Sequence, residues 1–212
     1  MDSPWGAVVR FSTKDLVTLA VFGALWGSVE MTLGAWLHAA NVPFTGLLLS
    51  GVGVCIALIG YVFVPRAGAV FMISLVAAIL KAFSVGGVVL NPMIAIVVEG
   101  LLAELGLAVG GRRHHVLPFL LAGVLAVNWS LVQPFFTQGI LAGQGVLLIY
   151  TRTLQRVADL LGLSTGMVVA LLIIVVLVHS VIGLAAGAVA AGVGRQLTRR
   201  LRSRVPLEAP GE

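Results

Sequence analysis

Long apolar runs alternate with short polar breaks along the whole of this chain. About 20 predominantly apolar residues are enough for a helix to cross the bilayer core, and most of the runs approach or exceed that length. The pattern predicts six membrane spans, at about 14–37, 43–64, 69–83, 92–109, 116–136 and 167–193. We therefore expect a membrane domain over 14–194, preceded by a short cytoplasmic leader, 1–13, and followed by a basic cytoplasmic tail, 195–212.

Between the fifth and sixth spans, the segment 146–161 has a different pattern. Leu154 and Val157 belong to an apolar set that recurs at helical spacing, whereas Arg152 and Arg156 lie on the other faces. This periodicity predicts an amphipathic helix, too polar to span, that lies at the membrane interface or over a cavity. The predicted fold class is an all-α integral membrane protein, a bundle of about six transmembrane helices with one interfacial helix.

Composition supports a membrane protein. Of the 212 residues, 59% are hydrophobic and 10% are charged, and the mean hydropathy is +1.11. Soluble domains carry roughly 25% charged residues, so this chain is far too poor in charge to be one of them. Cys55 is the single cysteine and lies in an apolar run, which excludes an intramolecular disulfide.

The basic residues are distributed asymmetrically about the predicted spans. With an even number of spans and the N-terminus inside, ten of them are cytoplasmic: Arg10, Lys14, Arg66, Arg112, Arg113 and the five arginines from Arg195 to Arg204. Arg152 and Arg156 lie outside, and Lys81 lies in the membrane near the outer end of the third span. The positive-inside rule therefore predicts a multi-pass cell-membrane protein with both termini in the cytoplasm.

Most ionisable and amide side chains within the spans fall at a similar depth in the outer half of the membrane, and Glu99 lies nearer the middle. A charged group at the bilayer centre costs roughly 2.5–3.5 kcal/mol on insertion scales, so several such groups at one depth suggest a common purpose. We expect them to line one outward-facing polar cavity, with Trp26 or Trp129 as a stacking wall for a flat ligand, although the simpler interpretation of both tryptophans is as interfacial or core aromatics. The predicted polar lining is Glu30, Lys81, Asn91, Glu99, Asn128 and Gln133.

Each of these residues also has a structural interpretation. Glu30 and Lys81 are alternatively an ion pair between the first and third helices. Asn128 and Gln133 are alternatively hydrogen-bond partners of neighbouring helices, and Asn91, which precedes a proline, is alternatively a helix cap. Two further groups are interpreted as structural in the first instance: His179 as a bond between helices, and Glu104 as a packing or partner residue.

Enzyme motifs give little support for catalysis. The sequence contains no H-E-x-x-H or Walker A motif, and residues 162–166, GLSTG, match the short G-x-S-x-G pattern without the preceding strand that a nucleophile elbow requires. The adjacent His114 and His115 cannot both face one metal from a single helix face, so we interpret GGRRHH as a basic cytoplasmic loop. We expect neither an enzyme nor a protein with a resident metal or cofactor, and active transport would draw its energy from a partner or an ion gradient.

Small residues recur along the first predicted helix. Ala20 and Ala24 lie four apart, and Gly23 and Gly27 lie on an adjoining face. Small residues at this spacing allow the backbone of another helix to approach closely. The pattern favours a docking surface, although it also arises by chance in spans rich in glycine and alanine.

Two segments, KDLVTLAVFGALWGSVE and NPMIAIVVEGLLAELG, together with six spans in a chain of this length, resemble the substrate-binding S components of energy-coupling factor (ECF) transporters. The resemblance is nearest to the thiamine-related subgroup that includes YkoE-type proteins. It implies a membrane protein that binds a vitamin or its precursor from outside, such as thiamine or its hydroxymethylpyrimidine moiety. It also implies docking through Ala20 and Ala24 onto a transmembrane coupling (T) component, which two cytosolic ATPases drive.

Two further expectations concern the substrate and the alternatives. Nickel and cobalt members of the resembled group use an N-terminal histidine motif, which residues 1–6 lack, and this argues against a metal substrate. The alternative function is an ion-coupled secondary transporter or a small channel for a polar solute. Such transporters often contain paired inverted repeats, and the sequence contains no such symmetry.

Overall fold

The computed structural model describes residues 10–84, 90–111, 116–141, 143, 145–162 and 167–204. All the regular structure in these ranges is helical, which confirms the predicted all-α fold. A π-helix, Phe135–Leu141, continues the fifth helix. The α-helices are α1 Thr13–Ala39, α2 Thr45–Phe63, α3 Ala69–Lys81, α4 Leu90–Val109, α5 Val116–Pro134, α6 Val146–Leu161 and α7 Val168–Arg204.

Five of these helices, α1, α2, α4, α5 and α7, are long and apolar enough to cross a membrane. The third predicted span is shorter than expected, since α3 ends at Lys81 and would extend only about 20 Å at 1.5 Å per residue. The bundle therefore contains six apolar helices, one of them short, as expected of a multi-pass membrane protein. Gly86 and Gly87, predicted to form the irregular connection after α3, lie outside the described residues, as does most of the GGRRHH loop.

Helix α2 occupies the centre of the bundle. It packs against each of the other five apolar helices, while α1, α3, α4, α5 and α7 follow one another around it. Its sequence contains no charged residue, and more than half of its residues are buried, with Leu48 and Val52 exposed on one side. A side chain at Gly53 would clash with the Trp26 indole, so this glycine lets α1 lie close to α2.

One end of the bundle is held together by polar contacts. Ser12 caps α1 by accepting a hydrogen bond from the Asp15 amide at 3.2 Å, and Asp15 accepts one from the Ser12 amide at 2.9 Å. Arg66, in the turn between α2 and α3, pairs with Asp15 at 3.1 Å and donates to the Arg10 carbonyl. We call this the termini end, because α1 begins and α7 finishes there.

Two further boundaries differ from the predicted ones. Helix α2 begins at Thr45 rather than near Pro43, because Phe44 has a left-handed backbone, with φ 57°, that cannot continue a helix. Helix α7 does not end near Val193 but continues through the basic segment to Arg204. Arginine, leucine and glutamine favour helix, and the first proline that would stop it is Pro206.

The amphipathic helix α6 has the predicted bounds. Leu154, Val157 and Ala158 are buried against Leu171 and Val175 of α7. Its charged residues Arg152, Arg156 and Asp159 are exposed. The apolar face therefore packs on the bundle, as the helical spacing of the sequence indicates.

Glu104 has a structural role at the termini end. Its side chain is buried, and Oε1 accepts a hydrogen bond of 2.8 Å from the Val70 amide in the first turn of α3. Helix α3 has no side-chain cap of its own at Gly68, so Glu104 satisfies one of the free amides of its first turn.

We expect Glu104→Ala to lower the free energy of unfolding by about 1–3 kcal/mol, because a buried amide loses its acceptor. Glu104→Gln, which retains an acceptor oxygen, should cost less. Thermal unfolding of the two purified variants in detergent measures the difference, and equal melting temperatures for wild type and Glu104→Ala would contradict the assigned role.

Candidate functional site

A cavity of about 560 Å³ opens at the end of the bundle opposite the termini end. It is lined by the C-terminal parts of α1, α3 and α5 and by the N-terminal parts of α2, α4 and α7. Leu154 and Arg156 of α6 contribute to its wall, so the amphipathic helix lies over the cavity. We call this end of the molecule the cavity end.

Five of the residues predicted for the site line this cavity. They come from four different helices, and all except Glu99 lie at a common depth along helices that alternate in direction. They are Glu30, Lys81, Asn91, Glu99 and Gln133.

Glu30 and Lys81 form an ion pair across α1 and α3. Lys81 Nζ lies 3.4 Å from Glu30 Oε2 and donates a hydrogen bond of 2.9 Å to the Glu30 carbonyl oxygen. The two side chains are only 8% and 12% exposed. Two buried opposite charges in contact compensate one another. This contact is the ion pair between the first and third helices that the sequence left open as an alternative to substrate binding.

Asn91 and Gln133 form a second polar contact on the cavity wall. Gln133 Nε2 donates to Asn91 Oδ1 at 2.7 Å and to the Asn91 carbonyl oxygen at 2.9 Å. These bonds join the start of α4 to the last turn of α5. Pro134 and Phe135, where α5 gives way to the π-helix, line the cavity beside them.

Glu99 lies deeper than these pairs. It is nine residues into α4, about 14 Å along the helix axis, and only 3% exposed. Among the described residues no basic side chain forms an ion pair with it. The Ser50 hydroxyl of α2 lies near its carboxyl group.

The structure places three of the predicted site residues away from the cavity. Trp26 is fully buried between α1 and α2, where it packs on Gly53. Asn128 donates to Ser180 Oγ at 3.2 Å and to its own helix at the Val124 carbonyl, so it joins α5 to α7. Trp129 packs its ring against Phe136, with ring centroids 5.4 Å apart. Neither indole is therefore part of the cavity lining in this structure.

Sequence reasoning did not include several residues that line the cavity. They are Ser50, Ser130, Arg156, His38 and His179. His179 was interpreted as a bond between helices, but its Nδ1 bonds to the Val175 carbonyl of its own helix at 2.7 Å. Its position near the middle of the last span was the available signal, whereas no sequence signal distinguished Ser50 from other serines in apolar runs.

Few side chains on the cavity wall are of the types that bind metals. Within the described ranges, no three His, Cys, Asp or Glu side chains come together as a potential metal site. Glu30, Glu99, His38 and His179 are the residues of these types on the cavity wall. One of the two carboxylates, Glu30, is already paired with Lys81.

The small residues of α1 separate into two groups. Gly23 and Gly27 face α3 within the bundle, where a Cβ on Gly23 would lie 2.8 Å from the Ile73 carbonyl oxygen. Ala20 is exposed on the outside of the bundle together with Val17 and Val21, and Ala24 is half-buried. The glycines thus serve internal packing, and the alanines remain accessible from outside.

An all-α membrane bundle with a partly polar cavity at one end has the architecture of a membrane protein that can hold a small solute. Residues 14–129 match the family model described as "ABC-type cobalt transport system, permease component". This match covers more than half of the chain, from α1 into α5, and the chain belongs to that family. It is accordingly a membrane component of an ECF-type ABC transporter. No curated protein and no solved structure matches the chain.

Proposed function

We propose that this chain is the substrate-binding S component of an ECF importer and that its cavity holds a small organic solute. The observation that carries this proposal is the cavity of about 560 Å³, which lies at one end of the bundle and combines polar groups with apolar walls. Ligand sites for small molecules typically measure about 300–1,000 Å³ and have mostly apolar linings with a few polar groups.

The size of the cavity favours an organic substrate over a bare cation. Protein oxygens bind a divalent cation at about 2.0–2.6 Å, so such an ion needs only a small cage of ligands. A vitamin or vitamin precursor fills more of the available space. Thiamine or its hydroxymethylpyrimidine moiety is the specific candidate, because the chain resembles the thiamine-related subgroup.

The partners in this proposal are a transmembrane coupling component and two cytosolic ATPases. The sequence has no Walker A motif, so ATP hydrolysis must come from other subunits. Exposed Ala20 and half-buried Ala24 offer the coupling component a surface on α1 that small side chains keep smooth.

Mass spectrometry of small molecules that co-purify with the protein tests the proposal. We expect an organic compound in near-stoichiometric amount after mild detergent extraction, and none from a variant in which Ile96→Trp fills the cavity. Recovery of equal amounts from both proteins would show that the compound does not occupy the cavity.

A divalent cation is the second candidate substrate. The description of the family names cobalt, and Glu30, Glu99, His38 and His179 line the cavity. Elemental analysis of the same purified samples separates the two candidates. Stoichiometric cobalt or nickel that is lost in Glu99→Gln, without any organic compound, would replace the first proposal with the second.

The proposal also requires a defined orientation in the membrane, with the cavity end outside. We expect a reporter fused after Glu212 to be cytoplasmic and one inserted at Gly143 to be external, as the distribution of arginine and lysine predicts. An external C-terminus would place the cavity on the cytoplasmic side and exclude uptake by this route.

A further inference from the structure

We propose that Ser50, Glu99 and His179 form a subsite at the deep end of the cavity that binds a positively charged or N–H-donating end of the substrate. This inference rests on the proposed function, since it assigns the chemistry of the substrate that the cavity holds. The three residues come from α2, α4 and α7, and all line the cavity.

Most other polar groups of the cavity bond to one another or to carbonyls of their own helices, while the cation Arg156 is exposed on the α6 wall. Lys81 contacts both the carboxylate and the carbonyl oxygen of Glu30. Gln133 directs its amide nitrogen at Asn91. Glu99 differs, because no basic side chain among the described residues is paired with it.

Ser50 is the second observation that points to a ligand. Its hydroxyl group is buried, with the residue 2% exposed, and within the part of the chain that the structure describes it forms no hydrogen bond of standard geometry. It lies on the cavity wall, within reach of at most a weak bond to the Glu99 carboxyl. Buried polar groups nearly always have partners, so an unpartnered hydroxyl at a cavity is a position where a ligand completes the bonding.

His179 adds an acceptor to the wall of the same cavity. Its Nδ1 bonds to the Val175 carbonyl, which can only accept, so Nδ1 must carry the hydrogen. In the neutral imidazole, Nε2 is then an acceptor. The residue is 4% exposed, so this nitrogen has little access to bulk water.

The deep subsite therefore presents acceptors and one hydroxyl, with no paired cation among the described residues. A carboxylate or phosphate placed there would bring a second acidic group beside Glu99 and would supply neither a counter-charge nor N–H donors. A protonated nitrogen or an amino-substituted heterocycle supplies the missing donors. Its flat ring would fit between the apolar side chains of the same cavity, such as Leu47, Ile96 and Leu172.

Two matched probes test the inference: 4-amino-5-hydroxymethyl-2-methylpyrimidine and its 4-oxo analogue, which replaces the exocyclic amino donor with an acceptor. Titration calorimetry with the full chain in nanodiscs measures both affinities. We expect wild type to prefer the amino compound by at least about tenfold, since a hydrogen bond to a charged group is strong.

The variants Glu99→Gln and Ser50→Ala locate the subsite. Glu99→Gln should weaken the amino probe about 10- to 100-fold and reduce or reverse the preference, because an amide can donate to the 4-oxo group. Ser50→Ala should weaken the amino probe by a smaller factor. The matched controls are Glu104→Gln and Ser74→Ala, buried groups that bond elsewhere and do not line the cavity, and both should bind as wild type does.

Equal affinity of wild type for the two probes, or no loss in Glu99→Gln, would overturn the inference. If wild type binds neither probe, the chemistry of the compound that co-purifies with it tests the inference instead. An anionic compound, or one without N–H donors, would contradict the proposed deep subsite. That result leaves the proposed function standing, whereas a bound cation without any organic compound overturns the proposed function itself.

Discussion

Ala20→Trp and Ala24→Trp are each expected to abolish uptake in cells while leaving substrate binding to the purified protein unchanged. Ala20 is exposed and Ala24 is half-buried on α1, and neither lines the cavity. If the coupling component packs against this face, an indole at either position prevents the close approach of the two helices. Uptake assays and co-purification of the coupling component measure the loss, and substrate binding to the purified variants measures what is retained.

Val181→Trp is the matched control for this prediction. Val181 is 61% exposed on α7, and α7 is not among the helices that pack against α1. The same large side chain at that position should insert between lipids and leave uptake intact. Normal uptake by both alanine variants would show that the small-residue face of α1 is not the docking surface.

Glu30→Gln is expected to destabilise the protein strongly. The change leaves the Lys81 ammonium group buried without its counter-charge, and breaking a buried ion pair from one side typically costs about 3–5 kcal/mol. The double variant Glu30→Gln with Lys81→Met should recover much of that stability, because the unpaired charge is removed as well. Thermal unfolding of the three variants in one detergent measures the effect.

Glu99→Gln provides the comparison, because Glu99 has no basic partner among the described residues. It should change the melting temperature less than Glu30→Gln does, and it should change substrate affinity more. If Glu30→Gln instead melts as wild type does and loses substrate, the ion pair is not what holds α1 to α3, and Glu30 is a substrate ligand.

The two carboxylates of the cavity illustrate how far sequence reasoning can reach. Both were recognised as candidates because an acidic group in an apolar run is costly. The sequence left open whether Glu30 pairs with Lys81 or binds substrate. The 3.4 Å separation of the two side chains favours the structural role, and only the packing of α1 on α3 brings them together.

The pattern of hydropathy along the chain was sufficient to predict a membrane protein, its apolar helices and the bounds of α6. These features depend on local composition and on spacing within one helix, both of which a sequence displays directly. The common depth of Glu30, Lys81, Asn91 and Gln133 followed as well, because consecutive helices alternate in direction.

Tertiary structure alone decided which face of each helix turns inward. In a soluble helix the apolar stripe marks the buried face, but lipid is as apolar as the bundle interior, so a membrane helix carries little such signal. Trp26 and Asn128 were therefore predicted for the cavity and lie outside it, while Ser50 and His179 line it. The sequence by itself determined a membrane bundle with polar groups at one end, and the packing of five helices around α2 determined which of those groups meet.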